Sequence, residues 1–317
     1  MNTRGLLPAV LLALCALVSS CSAAPAAPAV PEHPHLRLGV LPIVDDAHLV
    51  RAQAAGYFTA EGLTVDLVTV QGGAAALPRL VAGDLDMTFT NYVSALLAQA
   101  QGAGTFRFVD GGYQAGPNTL LIITQPGSAI RSPRDLAGKK IAVNTRRNIV
   151  ELTARSALET AGVDPGSVTF VEVPFPDMAA ALQSGKVDAA FTVEPFSTQA
   201  ALAFGAVSTL DASAGATAGI PIGGVAVTAD FATKNPNTVA AFRRAIARAQ
   251  ADMADRSVVE QILPTYTKIT SDTAALIALG TWPATLDAVR LRRDVDLMRQ
   301  YGVLTADLDV GSMVLPR

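Results

Sequence analysis

Two cysteines, one tryptophan and three histidines are the whole supply, in 317 residues, of the side chains most used for thiol, metal and docking chemistry. Cys15 lies inside an apolar run from Leu6 to Val18 that reads as a removable signal, which leaves Cys21 alone. A single cysteine excludes an internal disulfide and any cysteine-based metal cluster. His33 and His35 fall in a proline-rich stretch, and His48 has no cysteine nearby, so no metal and no cofactor are expected. Basic residues are few: 24 Lys and Arg stand against 27 Asp and Glu, with no basic run, which argues against nucleic acid. Gln71-Gly72-Gly73 is too short for a phosphate loop, and Gly102 and Gly104 precede a strand-like run instead of a helix. No nucleophile elbow is present, and past residue 18 no apolar run is long enough to span a bilayer.

What is there begins with address signals. Arg4, the apolar run and Val18-Ser19-Ser20-Cys21 fit a secretory signal over residues 1–20. Small residues directly before Cys21 resemble the lipobox of bacterial lipoproteins, which implies lipidation of Cys21. Residues 21–35, "CSAAPAAPAVPEHPH", have too little large apolar content to fold and read as an extended tether. Lipid at one end and a folded body at the other mean attachment to a membrane without crossing it. Removing residues 1–20 takes away only Arg4, so the net charge of -3 becomes -4.

The body carries one phrase twice. "LVAGDLDMTFTNY" starts at Leu80 and "LQSGKVDAAFTVEPF" at Leu182. Extended backwards, both halves give an apolar strand, a helix closed by glycine, a β-branched strand, a short helix closed by glycine (Gly83, Gly185) and a last strand. The copies keep an offset of 102 to 103 residues across all five elements. Each half therefore reads as β-α-β-α-β, the plan of a mostly parallel sheet flanked by helices in an α/β fold. "GPNTLLIITQ" from Gly116 and "GIPIGGVAVTADF" from Gly219 read as two matched crossings between lobes, a two-strand hinge. The expected lobes are residues 36–119 with 225–317, and 120–224. The remaining carboxyl-terminal part reads as helical, with amphipathic segments over Asn237–Ala254 and before Gly302.

Ligands of open α/β sheets bind beyond the carboxyl ends of the strands. That rule selects loops at Asp45-Asp46, Gly72-Gly73 and Thr90-Asn91-Tyr92 in the first half. In the second it selects Asn144-Thr145-Arg146-Arg147-Asn148, Phe175 and Glu194.

"SPRDLAGKKIAV", "ALETAGVDPGSVTFVEVP" and "MAAALQSGKVDAAFTVEPF", in that order, resemble the periplasmic solute-binding proteins of nitrate, sulfonate, taurine and thiamine-pyrimidine uptake. "AAGYFTAEGLTV" in the first half looks like the same family's helix-to-strand turn. The resemblance implies a two-lobed periplasmic-binding-protein type II clamshell, working as a monomer. It also implies one small-molecule solute in the cleft and delivery to an ABC transporter permease. It leaves the solute open, since its members bind anions and nitrogen heterocycles alike. An enzyme related to thiamine-pyrimidine synthesis and a lipoprotein that presents its solute to a sensor are the other readings of the same fold.

Each loop residue also has a structural reading. Asp46 can cap the helix it precedes. Asn148 with Glu151 fits a capping box, while the helix end behind it, with Arg146 and Arg147, can receive an anion. Phe175 packs over the site, and Asp177 caps a helix from Met178. Trp282 reads as core. Thr90, Asn91 and Tyr92 offer a hydroxyl, an amide and a ring. Asp45, Asp46 and Glu194 outweigh the arginines, which favours a solute with donor nitrogens, such as a pyrimidine or an amine. A sulfonate, nitrate or similar anion is the alternative.

Overall fold

A computed structural model describes residues 29–316. The signal segment, Cys21 and most of the tether lie outside the described residues. The first half of the repeat runs β1 (His35–Val40), α1 (Ala47–Ala54), α2 (Tyr57–Ala60), β2 (Thr64–Thr69), α3 (Gly73–Ala82) and β3 (Met87–Asn91). It continues through α4 (Tyr92–Ala100), β4 (Phe106–Phe108) and β5 (Tyr113–Gln114). The second half runs β6 (Leu120–Thr124), β7 (Lys140–Val143), α5 (Ile149–Thr160), β8 (Thr169–Glu172), α6 (Phe175–Gln183), β9 (Ala189–Val193), α7 (Phe196–Phe204) and β10 (Val207–Asp211). The chain closes with β11 (Pro221–Thr228), α8 (Ala229–Lys234), α9 (Pro236–Asp252), α10 (Arg256–Ile262), α11 (Ser271–Ala274) and α12 (Ala288–Gln300).

The two sheets have the same topology. The first is ordered β2-β1-β3-β11-β4, with β5 also on β11; the second is β8-β7-β9-β6-β10. In each, the first three strands are parallel and the fourth runs antiparallel to its neighbours. The fourth strand is a crossing segment: β6 enters the second sheet just after the chain leaves the first, and β11 enters the first on return. Ala115 N donates to Ile220 O (3.0 Å) and Ala212 N to Leu120 O (2.8 Å), so the two crossings run side by side. Arg293 of α12 holds the returning crossing from behind, through the carbonyls of Gly219 and Ala218 (both 2.8 Å).

The repeated wording has a structural cause. Asp86 Oδ2 accepts the N–H of Arg37 (2.8 Å), and Asp188 Oδ2 accepts the N–H of Lys140 (2.8 Å). The N–H of each aspartate returns a bond to the same residue's carbonyl, at 3.0 and 2.9 Å. The aspartate thus pins the start of the first strand of each repeat (β1, β7) to the start of its third (β3, β9). Gly83 and Gly185 before it take positive φ, 79° and 72°, which reverses the chain out of the helix at no Cβ cost. Asp86 is buried and also holds the Arg37 guanidinium, whereas Asp188 is exposed. Asp86→Ala is expected to cost about 2–3 kcal/mol and Asp188→Ala about 1 kcal/mol in urea unfolding.

Helix boundaries differ from expectation at two places. α6 begins at Phe175, so Asp177 lies inside its first turn and does not precede it. Glu151 takes the N–H of Arg147, not that of Asn148, so only the Asn148 half of the expected capping box forms. α9 packs on α1 and α2, with Phe58 and Phe242 stacked at 5.4 Å.

Candidate functional site

Between the lobes lies a cavity of about 40 Å³, room for a few water-sized groups. Its wall is drawn from the carboxyl ends of the parallel strands of both sheets. Asp45, Gly73, Asn91, Asn144, Asn148 and Phe175, all expected in the cleft, line it. Apolar groups complete it, among them Leu41 and Ile43 beyond β1, Phe89 of β3 and Val193 of β9. Leu120 and Ile222, from the two crossing strands, form the part toward the hinge, and Thr153 projects from the second turn of α5.

The segment carrying Asp45 is pinned by its backbone. Tyr266 Oη donates to Ile43 O (2.8 Å), and Trp282 Nε1 donates to Asp45 O (2.9 Å). His48 meets the same Asp45 carbonyl through Nδ1 (3.1 Å) and Asp110 through Nε2 (3.0 Å). Asp46, fully buried, accepts the N–H of Leu41 (2.6 Å) and so ties the segment back on itself instead of capping α1. With the main chain fixed at these points, the Asp45 side chain is left to face the cavity. It is 6% exposed and has no side-chain partner among the described residues. Burial pushes its carboxyl up to about 7, and its own backbone N–H offsets only part of that. An unpaired buried carboxylate is costly unless a donor comes to it.

The opposite character comes from helix ends. α3 starts at Gly73, α4 follows Asn91, α5 follows Asn148 and α6 starts at Phe175, so four amino termini meet the cavity wall. First-turn N–H groups and the helix dipole make such a place favourable for an anion. A Cβ on Gly73 would lie 2.6 Å from Thr90 Cα, so only glycine lets α3 begin flush against β3. Asn91 Oδ1 caps α4 through Ser94 N (2.8 Å), and Asn144 Oδ1 accepts from Asn148 Nδ2 (3.0 Å). Their amide nitrogens are therefore the polar atoms that Asn91 and Asn144 keep for a solute.

The other expected residues lie off this wall. Tyr92 is fully buried in the first lobe, its hydroxyl on Gly111 O and its ring edge-on to Phe108. Thr90 turns its hydroxyl to Asn91 O (3.3 Å), and Gly72 precedes the first turn of α3. Thr145 and Arg146 face a separate depression beside α3 and α4. Arg146 Nε lies 3.8 Å from Glu151, a carboxylate already bound closely by Arg155, and Arg147 reaches Val303 O (3.2 Å). The arginines thus do not supply the cavity with positive charge. Glu194 works between the lobes: its Oε1 accepts from Thr198 Oγ1 (2.8 Å) and from Ala278 N (3.2 Å), and its carbonyl accepts from Val44 N (3.1 Å). Ala278 and Val44 belong to the first-lobe side, so Glu194 latches the cleft shut. Trp282 is core, as expected, but also positions Asp45.

Comparison with known proteins agrees with this architecture. The family model described as NMT1/THI5 like matches residues 44–257, more than half of the chain. The taurine-binding periplasmic protein of Escherichia coli is 30% identical over 200 residues, 63% of this chain and 61% of its own length. The chain thus spans about three fifths of that curated relative. The alkanesulfonate-binding protein of Xanthomonas axonopodis pv. citri, solved with MOPS bound, has a TM-score of 0.77 at 20% identity, over 90% of this chain and 99% of its own. The nitrate-binding protein of Synechocystis has a TM-score of 0.74 at 15% identity, over 90% and 86%. At such identities the structural likeness establishes the two-lobed periplasmic-binding fold, and the sequence match establishes kinship: the chain belongs to the NMT1/THI5-like family.

Proposed function

We propose that this chain is the solute-capturing component of an ABC importer, held to the outer face of the membrane through lipid on Cys21. Its solute is a small zwitterion of the aminosulfonate class, taken into the interlobe cavity and passed to the permease. One observation carries the reading: a carboxylate without a side-chain partner faces a cavity whose other polar features are helix amino termini, asparagine amides and the Thr153 hydroxyl, which donates to Ile149 O (2.8 Å). An ammonium answers Asp45, and an anionic head answers the amides of α3, α4 and α5.

The names of the relatives support the anionic half: one binds taurine, another alkanesulfonate, a third nitrate. They favour the sulfonate alternative over a nitrogen heterocycle, and the cavity's small volume favours it too. The donor nitrogen expected from the acidic loops is retained as the ammonium of the same solute. All three relatives are binding proteins, which supports capture over catalysis. Among the described residues no helix is long and apolar enough to cross a membrane, which is compatible with anchoring through Cys21.

Titration calorimetry on the full chain tests the reading with 2-aminoethanesulfonate, ethanesulfonate, nitrate and a pyrimidine. The aminosulfonate is expected to bind at least tenfold tighter than the others. A pyrimidine binding tightest, or no sulfonate binding, contradicts it. Closure enters through Glu194. A solute that touches both walls only when the lobes are shut gains affinity from every bond that keeps them shut. Glu194→Ala is expected to weaken the aminosulfonate about tenfold, with scattering showing a larger open fraction in the absence of solute.

A further inference from the structure

The cleft continues beyond the inner cavity. Leu41, Ile43 and Phe175 line that cavity and also a second space of about 240 Å³. This vestibule lies between the lobes, with Pro42 and Thr69 on one side and Pro176 and Phe196 on the other. It leads into a groove of about 610 Å³ that shares Phe175 and Phe196 and runs past Tyr266 along α6 and α7. Phe175 is buried and stacks on Phe196, with ring centroids 5.9 Å apart and planes within 15°. Phe175 borders both and so forms the partition between inner and outer space, with Phe196 backing it on the outer side.

Two facts give the partition a role. The inner cavity has room for a small zwitterion and little more. Its shared wall is Leu41, Ile43 and Phe175, and Asp45 stands two residues beyond Ile43 on the inner side, so the way out begins close to the carboxylate that receives the ammonium. A group carried on the solute's nitrogen would emerge there, into walls mostly of proline, aliphatic and aromatic side chains, with Thr69 and Gln71 among them. Asp177 and Lys268 are the charged side chains along the outer spaces, one in each.

We propose that the vestibule is a second subsite, for an apolar substituent on the amine end of the solute, and that Phe175 determines which substituents enter. The substrate class is then N-substituted aminosulfonates, with the ammonium kept at Asp45 and the sulfonate at the helix ends. This rests on the reading of the inner cavity as an aminosulfonate site.

The test is titration calorimetry of the full chain with 2-aminoethanesulfonate and its N-methyl and N-butyl derivatives. Each methylene that enters an apolar wall tightens binding about fourfold. The N-butyl compound is therefore expected to bind at least tenfold tighter than the N-methyl one. Thr69→Trp, at the exposed end of β2, fills the vestibule from the first lobe without touching the inner wall. It is expected to reduce that gain to threefold or less. A wild-type gain below threefold, or a gain that survives in Thr69→Trp, overturns the subsite. Failure of the unsubstituted compound to bind overturns the aminosulfonate reading itself, whereas its binding without an N-butyl gain removes the vestibule alone.

Discussion

Asp45→Asn is expected to weaken binding of 2-aminoethanesulfonate about a hundredfold or more and to strengthen binding of ethanesulfonate. Truncating one partner of a buried charge pair costs about 2–5 kcal/mol, much of it because the other charge is left unpaired. In the variant the ammonium would enter a closed cavity and meet only an amide oxygen. The amine-less sulfonate gains instead, because a negative charge facing its own head is gone. The inversion separates this account from a structural role for Asp45: a merely disordered loop would weaken both solutes together. Side-by-side calorimetry of the two solutes on wild type and variant decides the matter. The loop is expected to stay ordered, since Tyr266, Trp282 and His48 hold its backbone carbonyls and not the Asp45 side chain.

The second large effect is a pH dependence with opposite signs for stability and affinity. Burial holds the Asp45 carboxyl at about 7 in the folded chain, against 3.8 when unperturbed. Between those values the folded state keeps a proton that the unfolded state has lost, so stability falls as pH rises. At about 1.4 kcal/mol per pH unit, the solute-free chain is expected to lose about 4 kcal/mol between pH 4 and 7 from this group. Asp46 is also pushed up, by burial first and then by the charges of Asp45 and Asp110, and adds with the same sign. Tyr113 and Tyr266 nearby are pushed up by burial and stay neutral over this range. An ammonium at Asp45 stabilises the ionised carboxylate, so below pH 7 binding must expel a proton. Affinity for the aminosulfonate is then expected to rise about tenfold per pH unit up to about 7 and level off above it. Asp45→Asn flattens the affinity profile. A wild-type profile already flat from pH 5 to 8 contradicts the assignment.

The parity of the strands explains which site residues were legible. Along a strand successive side chains alternate faces, so every second residue at a strand end looks into the cleft. Phe89 and Asn91 line the cavity, while Thr90 and Tyr92 do not. In the second copy Val193 lines it, while Thr192 and Glu194 do not, at the offset of 102 residues that the repeat prescribes. Leu41 and Ile43 keep the same alternation beyond β1, while Asp45 comes to the cavity from a 3-10 turn over Val44–Asp46, with Asp46 turned inward. Loop position alone therefore brought in Thr90, Tyr92 and Glu194, and parity carried through the repeat selects Val193 and sets those three aside.

Other features lie beyond pattern. The repeat, the shared sheet topology and the two crossings follow from local periodicity and turn chemistry, which act over a few residues. The bonds of Trp282 and Tyr266 to the Asp45 segment span 237 and 223 residues, and no local rule encodes them. Arg146 and Arg147 look like anion ligands in the sequence, because nothing there reveals that the Glu151 side chain draws Arg146 or that Val303 lies within reach of Arg147. The proposed anion site falls instead to helix ends, whose donors are backbone groups that every sequence possesses. Their convergence is set by the topology of two parallel sheets facing each other.

The central claim is that an ammonium and the Asp45 carboxylate meet in the closed cleft. Calorimetric titration of the full chain with 2-aminoethanesulfonate, in buffers of different ionisation enthalpy at pH 6 and pH 8, tests it most directly. The account predicts release of close to one proton per solute bound at pH 6 and almost none at pH 8. Tight binding with no proton exchange at pH 6 would contradict it.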